Sequence, residues 1–351
     1  MKLLDENGNV KEFVNGKYPA KVLNISHTDL DGVTSAISIA NTFTEVETIY
    51  TTYGWNMDKL FAKWDAAPTV FQKYDLVIFT DVSMDMDKMK KLLNLFQVGQ
   101  YQGEFAFLDH HEGSKELHNP ANNWLVIENV SGSLLTQRWC QTTFKVDLSF
   151  LDQLVKYTND YDLWIHKHKE SKQLQYLLDA EFKKDKDNAL YNFGEKYMNG
   201  IDFTNLTTEE QDIIKWKENY LDDSWDKLEV DQFPGTRVAL IMVDGGLVNE
   251  MCERLLNDKS FGIDFVINFP LNRTGGSIRA NAIGNMNVND FLKIVGKHLG
   301  IAGGGHKLAA GFAFNDMHWK MTAEDKIKMA QPILNKMVGL LTKTYSGLVE
   351  F

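Results

Sequence analysis

The sequence predicts an α/β protein in which a doubly wound, mainly parallel sheet is followed by a smaller α/β domain across a cleft. Three observations predict it. Short apolar runs alternate with amphipathic helical patterns through the first 165 residues, which is the signature of parallel strands joined by helices. Polar side chains collect just after those runs, at the edge where such a sheet binds ligands. After Gly235 the strand and helix pattern restarts. The 351 residues, 44% hydrophobic and 24% charged, are enough for about two domains with separate cores.

Taken in order, Lys21 to Ser26 is a buried strand that turns through His27, Asp29, Asp31 and Gly32 into a helical run of small and apolar residues. ETIYTTYG is a second strand, and DLVIFT is a third, ending on Asp81. FAFLDHHEG is a fourth strand that stops abruptly in Asp109, His110 and His111, and WLVIEN is a fifth. Asp87 to Phe96 and Ser133 to Phe144 have helical spacing. Leu148 to Asn159 is helical and leads into TNDYDLW, where Asp160 and Asp162 interrupt an aromatic stretch. Residues 1–165 make the first domain, the charged stretch 166–235 a helical bridge, and 236–351 the second domain. In the last, RVALIMV, GIDFVINFP, GGSIRANA and KLAAGFAF are strands and LVNEMCERLLND is a helix. Asn287 to Leu299 is another helix, N-capped by Asn287 or Asn289, and a long one begins at Ala323. Gly303, Gly304 and Gly305 with His306 are expected as a loop. No internal repeat or low-complexity tract is present, which excludes a solenoid.

The charge balance, 37 Lys+Arg against 48 Asp+Glu for a net −11, opposes affinity built on neutralising many phosphates of a long nucleic acid. A short anionic substrate in a local site remains compatible. Cys140 and Cys252 lie in apolar helical patterns, and two such cysteines suggest a reducing, cytoplasmic compartment rather than a disulfide framework. The N-terminus carries charges where a signal peptide is apolar, and no apolar run approaches a membrane span of about 20 residues. No membrane or protein partner is implied, and an oligomer is compatible.

The chemistry sits in four acidic clusters. His27, Asp29 and Asp31 alternate along a turn, suiting a hard or borderline divalent cation, but acids there also cap helices. Asp81 can cap the following helix. Asp109, His110 and His111 can form a surface loop, and Asp160 ends an apolar helix. Their conjunction at one sheet edge points to a two-metal centre with a shared carboxylate. Gly303 to Gly305 can offer backbone N–H groups to a phosphate, with His306 and Arg279 as charged donors; a flexible turn and an exposed ion pair are the plainer alternatives. His118, His166, His168, His298 and His318 have no partner spacing. Tyr161 and Trp164 follow the last acidic cluster closely enough to stack on a base.

SHTDLDG, the FTD ending at Asp81, LDHH and the aspartate of TNDYDLW together resemble the four ordered motifs of the DHH phosphoesterase superfamily. GGSIRAN and GGGHKLAAGF resemble the two signatures of the nucleic-acid-binding domain found in its RecJ and nanoRNase branch. The resemblance spans about Lys21 to Phe314, although His27 stands closer to the aspartates than in many relatives and residues 167–231 match no motif. It implies two divalent metals, manganese first and magnesium second: His27, Asp29 and Asp81 on one, and Asp31, Asp81, His110 and Asp160 on the other. Asp81 would bridge, Asp109 would orient a histidine, and His111 would meet the scissile phosphate. Asp162 would be a supporting acid. Arg279, Ser277, Gly303, Gly304, Gly305 and His306 would hold substrate. The implied activity is a phosphodiesterase or exonuclease of the nanoRNase type, hydrolysing short RNA or DNA oligonucleotides and dinucleotides to nucleoside 5′-monophosphates. The absence of a following oligonucleotide-binding barrel favours that over a RecJ-like single-strand DNA exonuclease. A cyclic-dinucleotide phosphodiesterase, a pyrophosphatase and a non-catalytic nucleotide-binding module are the other expectations.

Overall fold

The computed structural model describes residues 16–52, 54–281, 286–305 and 307–345. The chain divides into two compact units, Met1–Lys215 and Trp216–Phe351. In the first, β1 (Tyr18–His27) leads to α1 (Leu30–Thr42), β2 (Phe43–Thr51), α2 (Trp55–Ala66), β3 (Leu76–Thr80), α3 (Met86–Val98), β4 (Glu104–Asp109), β5 (Trp124–Val126) and α4 (Gly132–Phe144). Then come α5 (Asp152–Asp162), α6 (Lys169–Lys184), α7 (Ala189–Lys196) and α8 (Thr208–Trp225). The five strands pair in parallel in the order β2-β1-β3-β4-β5.

The continuous apolar runs follow from burial on both faces. Along β3, Leu76 and Ile78 enter one core with Val33 and Ile37 of α1 and Leu135 of α4. Val77 and Phe79 enter the other with Met57, Phe61 and Trp64 of α2 and Leu92 of α3. Helix α2 has no counterpart in the sequence expectation, although those three residues fall at i, i+4 and i+7 on one face. The WLVIEN strand is shorter than expected, three residues in β5. The charged stretch 166–235 divides between the units: Leu174, Leu177 and Leu178 of α6 and Phe193 of α7 pack into the first core, while the boundary falls inside α8.

The position of the site follows from strand order. With β2 on one side of β1 and β3 on the other, the chain's connections leave β1 and β3 in opposite directions, opening a crevice beyond their C-terminal ends. Residue 27 ends β1, residue 81 follows β3, and residue 109 ends β4.

The second unit contains β6 (Asp231–Gln232), β7 (Val238–Ile241), α9 (Val248–Asn257), β8 (Phe265–Asn268), β9 (Gly275–Ala280), α10 (Val288–Leu299), β10 (Ile301–Gly305), β11 (Ala309–Phe314) and α11 (Ala323–Tyr345). Its sheet runs β10-β11-β9-β8-β7-β6, parallel only between β7 and β8. One face carries Phe265, Ile267, Ile278, Phe312 and Phe314, buried with residues of α10 and α11. Asn287 is the N-cap of α10, accepting from the N–H groups of Asn289 and Asp290 at 3.0 and 3.3 Å. Among the described residues no helix is long and apolar enough to cross a membrane.

Candidate metal centre and substrate pocket

At the end of β1, His27 Nδ1 lies 2.6 Å from Asp29 Oδ2. The other oxygen of Asp29 accepts the Gly32 N–H at 2.9 Å, so one carboxylate both caps α1 and faces the cluster. The turn is close enough that a Cβ on Gly32 would lie 2.2 Å from the His27 carbonyl oxygen, which only glycine avoids. Asp31, in the first turn of α1 and buried, accepts from the N–H groups of Gly132 and Ser133 at 2.6 and 3.0 Å. Those amides open α4, whose N-terminal dipole favours the anion. A Cβ on Gly132 would stand 2.6 Å from the Cβ of Asp81, so α4 seats against the centre only through glycine. The Ser131-Gly132-Ser133 start of α4, which contacts Asp31 and Asp81, has no counterpart in the sequence expectation; a serine N-cap followed by glycine was its visible signal.

Asp81 occupies the middle. Its backbone takes a left-handed φ of 59°, turning the carboxylate back over the strand ends. His110 Nε2 is 3.2 Å from Asp81 Oδ1, 3.5 Å from Asp162 Oδ2 and 3.7 Å from Asp31 Oδ2. His111 Nδ1 is 2.7 Å from Asp109 Oδ1 and 3.9 Å from Asp81 Oδ1. Three overlapping sets have ligand atoms within 4.8 Å of one another: His27, Asp29 and Asp81; Asp81, His110 and His111; and Asp31, His110 and Asp162.

Asp160, expected as a metal ligand, is not brought to the centre. Its carboxylate accepts the N–H groups of Lys167 and His168, each at 3.1 Å. Asp162 faces His110 instead. Two residues along a helix are separated by about 200° of rotation, so the packing of α5 presents one of the pair and withholds the other.

The electrostatics are those of crowded acids. Burial, followed by repulsion from Asp31, Asp29, Asp162 and Asp109, pushes the Asp81 carboxyl well above the usual range. Burial and then Asp31 and Asp29 do the same to Asp162. Burial pulls the His27 imidazole down, but the charge and hydrogen bond of Asp29, with Asp162 and Asp31, outweigh it and raise it. Burial favours a neutral Asp29, yet His27 holds it below its ordinary value. Asp109 is lowered against its burial by His111 and by a hydrogen bond with Ser114. Both oxygens of Asp81, Oδ2 of Asp109 and Oδ2 of Asp162 are buried without a hydrogen-bond partner among the described residues. Buried carboxylates with idle oxygens and adjacent imidazoles fit divalent cations, whose charge would relieve the repulsion.

In the second unit, Arg279 donates to Asn249 Oδ1 at 3.0 Å and lines a cavity of about 400 Å³ with Arg273, Ser277, Asn268, Gly275 and Gly311. Gly303, Gly304 and Gly305 do not form a loop beside it. They are the last three residues of the exposed edge strand β10, paired antiparallel with β11, Gly305 lying opposite Ala310. The Gly305 N–H is already held by Asn289 Oδ1 at 3.0 Å. The sheet register aligns Gly304, Gly311 and Ser277 in one row. His306 lies outside the described residues.

No protein-family model matches the chain, and no curated protein matches it in sequence. Solved structures do. RecJ from Thermus thermophilus, crystallised in complex with Mn2+, superposes with a TM-score of 0.54 at 12% identity, over 90% of this chain and 52% of that one. This chain has a RecJ-like fold. It spans about half the length of that RecJ. Another exonuclease RecJ, bound to manganese, matches at a TM-score of 0.46 and 14% identity over 92% and 90% of the two chains. An uncharacterized protein from Helicobacter pylori G27 matches at 0.40 and 16% over 90% and 99%.

Proposed function

We propose that the chain is a two-metal phosphodiesterase, with manganese preferred and magnesium an alternative, that hydrolyses short oligonucleotides and dinucleotides to nucleoside 5′-monophosphates. The observation that carries it is Asp81: a buried carboxylate at the switch point of a RecJ-like sheet, with neither oxygen hydrogen-bonded among the described residues and His27, Asp29, His110 and His111 around it. His27, Asp29 and Asp81 would hold one ion, and Asp31, Asp81, His110 and Asp162 the other. Such ions, when bound, lower the pKa of a water and neutralise phosphate charge. Asp109 orients His111 through its Nδ1, 2.7 Å away, and the His111 ring would meet the phosphate or, in its doubly protonated imidazolium form, give the Nε2 proton to the leaving oxygen. The α4 amides hold the Asp31 carboxylate in place.

Arg279, with Ser277 beside it, would grip a phosphate in the cavity of the second unit, for which a guanidinium fork is suited. The finite cavity and the net charge of −11 favour a short substrate. The RecJ likeness favours the second reading, single-strand exonuclease activity. Incubating the protein and Mn2+ with labelled dinucleotides, five-mers, a long single strand, cyclic di-AMP and pyrophosphate separates these. Cleavage that falls with length supports the first reading, and processive loss of the long strand with survival of dinucleotides refutes it. Saturable binding with every substrate intact would leave a binding module.

A further inference from the structure

The loop after Asp162 is held more firmly than a connection requires. Asp160 takes up four successive backbone N–H groups: its carbonyl accepts those of Ile165 and His166, at 3.0 and 3.3 Å, and its carboxylate those of Lys167 and His168. Within this cradle Trp164 and His166 both adopt left-handed backbone, φ 57° and 48°. That conformation is costly for non-glycine residues, and two within three residues persist only where surrounding contacts over-determine them. The contacts are aromatic. The Trp164 and His166 rings lie 4.3 Å apart, and Tyr161 lies 5.4 Å from His166 and 6.5 Å from Trp164. Tyr161 packs against the core of the first unit, whereas Trp164 is not part of that core and remains partly exposed. Two residues of chain span at most about 7 Å, so the Cα of Trp164 lies within that distance of the Cα of Asp162, whose Oδ2 is 3.5 Å from His110.

We infer that Trp164, backed by Tyr161 and His166, is a stacking platform for the nucleobase adjoining the scissile phosphate; this rests on the phosphodiesterase reading. A chain of net charge −11 gains little affinity from surface neutralisation of phosphates beyond those held at the centre itself. A base stacked on an indole supplies binding that is independent of charge and tolerant of sequence. Asp160 is then the residue that fixes the platform rather than one that binds metal.

The test uses the full chain with Mn2+, a dinucleotide, and the same dinucleotide with one base removed. Wild type is expected to show a KM about five- to a hundredfold higher for the abasic substrate. Trp164→Ala should raise KM for the intact dinucleotide by a similar factor and erase the discrimination, while Trp164→Phe should restore most of both. Independently, adenosine 5′-monophosphate should quench tryptophan fluorescence where ribose 5-phosphate does not. Because the chain has eight tryptophans, loss of that quench in Trp164→Phe identifies the ring responsible. An unchanged KM in Trp164→Ala, or a quench that survives in Trp164→Phe, overturns the platform. If wild type cleaves neither dinucleotide, the phosphodiesterase reading fails, and the fluorescence comparison still decides whether Trp164 meets a base.

Discussion

Replacing Asp81 by asparagine is expected to stabilise the metal-free protein while abolishing its response to manganese. Asp29 and Asp81 have ligand atoms within 4.8 Å, and like charges at that separation repel by about 3 kcal/mol at an effective dielectric of 20. His27 and His110 offset part of this, so a net gain of about 1–2 kcal/mol is the working figure. Asparagine tolerates the left-handed backbone at this position, so the substitution adds little strain. For a unit of this size each kcal/mol moves Tm by roughly 2–4 °C. Wild type at a Mn2+ concentration about a hundred times its Kd should gain about 2.7 kcal/mol, hence roughly 5–10 °C. The pH dependence has a definite sign. Asp81 and Asp162 have raised folded pKa values, so their contribution is fully present below the ordinary value of 3.8 and is lost as pH rises through the raised values. That of His27, also raised, is present below 6.5 and lost above it through the folded value. Asp29 and Asp109, lowered, act oppositely, but only on acidification below 3.8. Metal-free Tm should therefore fall from about pH 5 to about pH 8, and the manganese-induced shift should grow over the same interval. Melting curves of wild type and Asp81→Asn, with and without Mn2+ at both pH values, read all of this. A metal-free Asp81→Asn protein melting several degrees below wild type, or one that keeps the manganese shift, would refute the reasoning.

Asp162→Asn should weaken Mn2+ binding by isothermal titration with Tm held or raised, whereas Asp160→Ala should lower Tm by the loss of two backbone bonds, about 1–3 kcal/mol; the reverse pattern would return the ligand role to Asp160. Gly132→Ala should abolish turnover and lower Tm, since its methyl would stand 2.6 Å from the Cβ of Asp81; a variant with wild-type kcat would mean that α4 can retreat without cost. Arg279→Ala should raise KM with kcat nearly unchanged, the mark of lost uniform binding, and an unaltered KM counts against its role.

The doubly wound sheet was legible because its strands must be apolar on both faces. Leu76, Val77, Ile78 and Phe79 supply alternate residues to two cores, and the run stops where Asp81 meets the open edge. The same logic singled out His27 and Asp109, since a charged side chain directly after such a run has no packing reason to be there. Two readings of the turn, cap and cluster, are compatible in three dimensions: Asp29 is both helix cap and cluster member.

Local pattern was silent where a contact far along the chain decides. Whether Asp160 or Asp162 faces the centre depends on the rotation of α5 against its neighbours, for which the hydrogen bond between Thr34 and Thr158 at 3.1 Å and that from the Ser131 N–H to Asn159 at 2.9 Å are partly responsible. Glycines 303 to 305 permit loop or strand equally, and only the presence of β11 alongside selects the strand. Sequence by itself determined which strands end in clustered acids and histidines, because burial on two faces leaves polar residues one place to go. Tertiary structure alone decided which of two neighbouring acids enters the centre and which builds the loop beside it, because helix rotation is set by packing partners more than a hundred residues away.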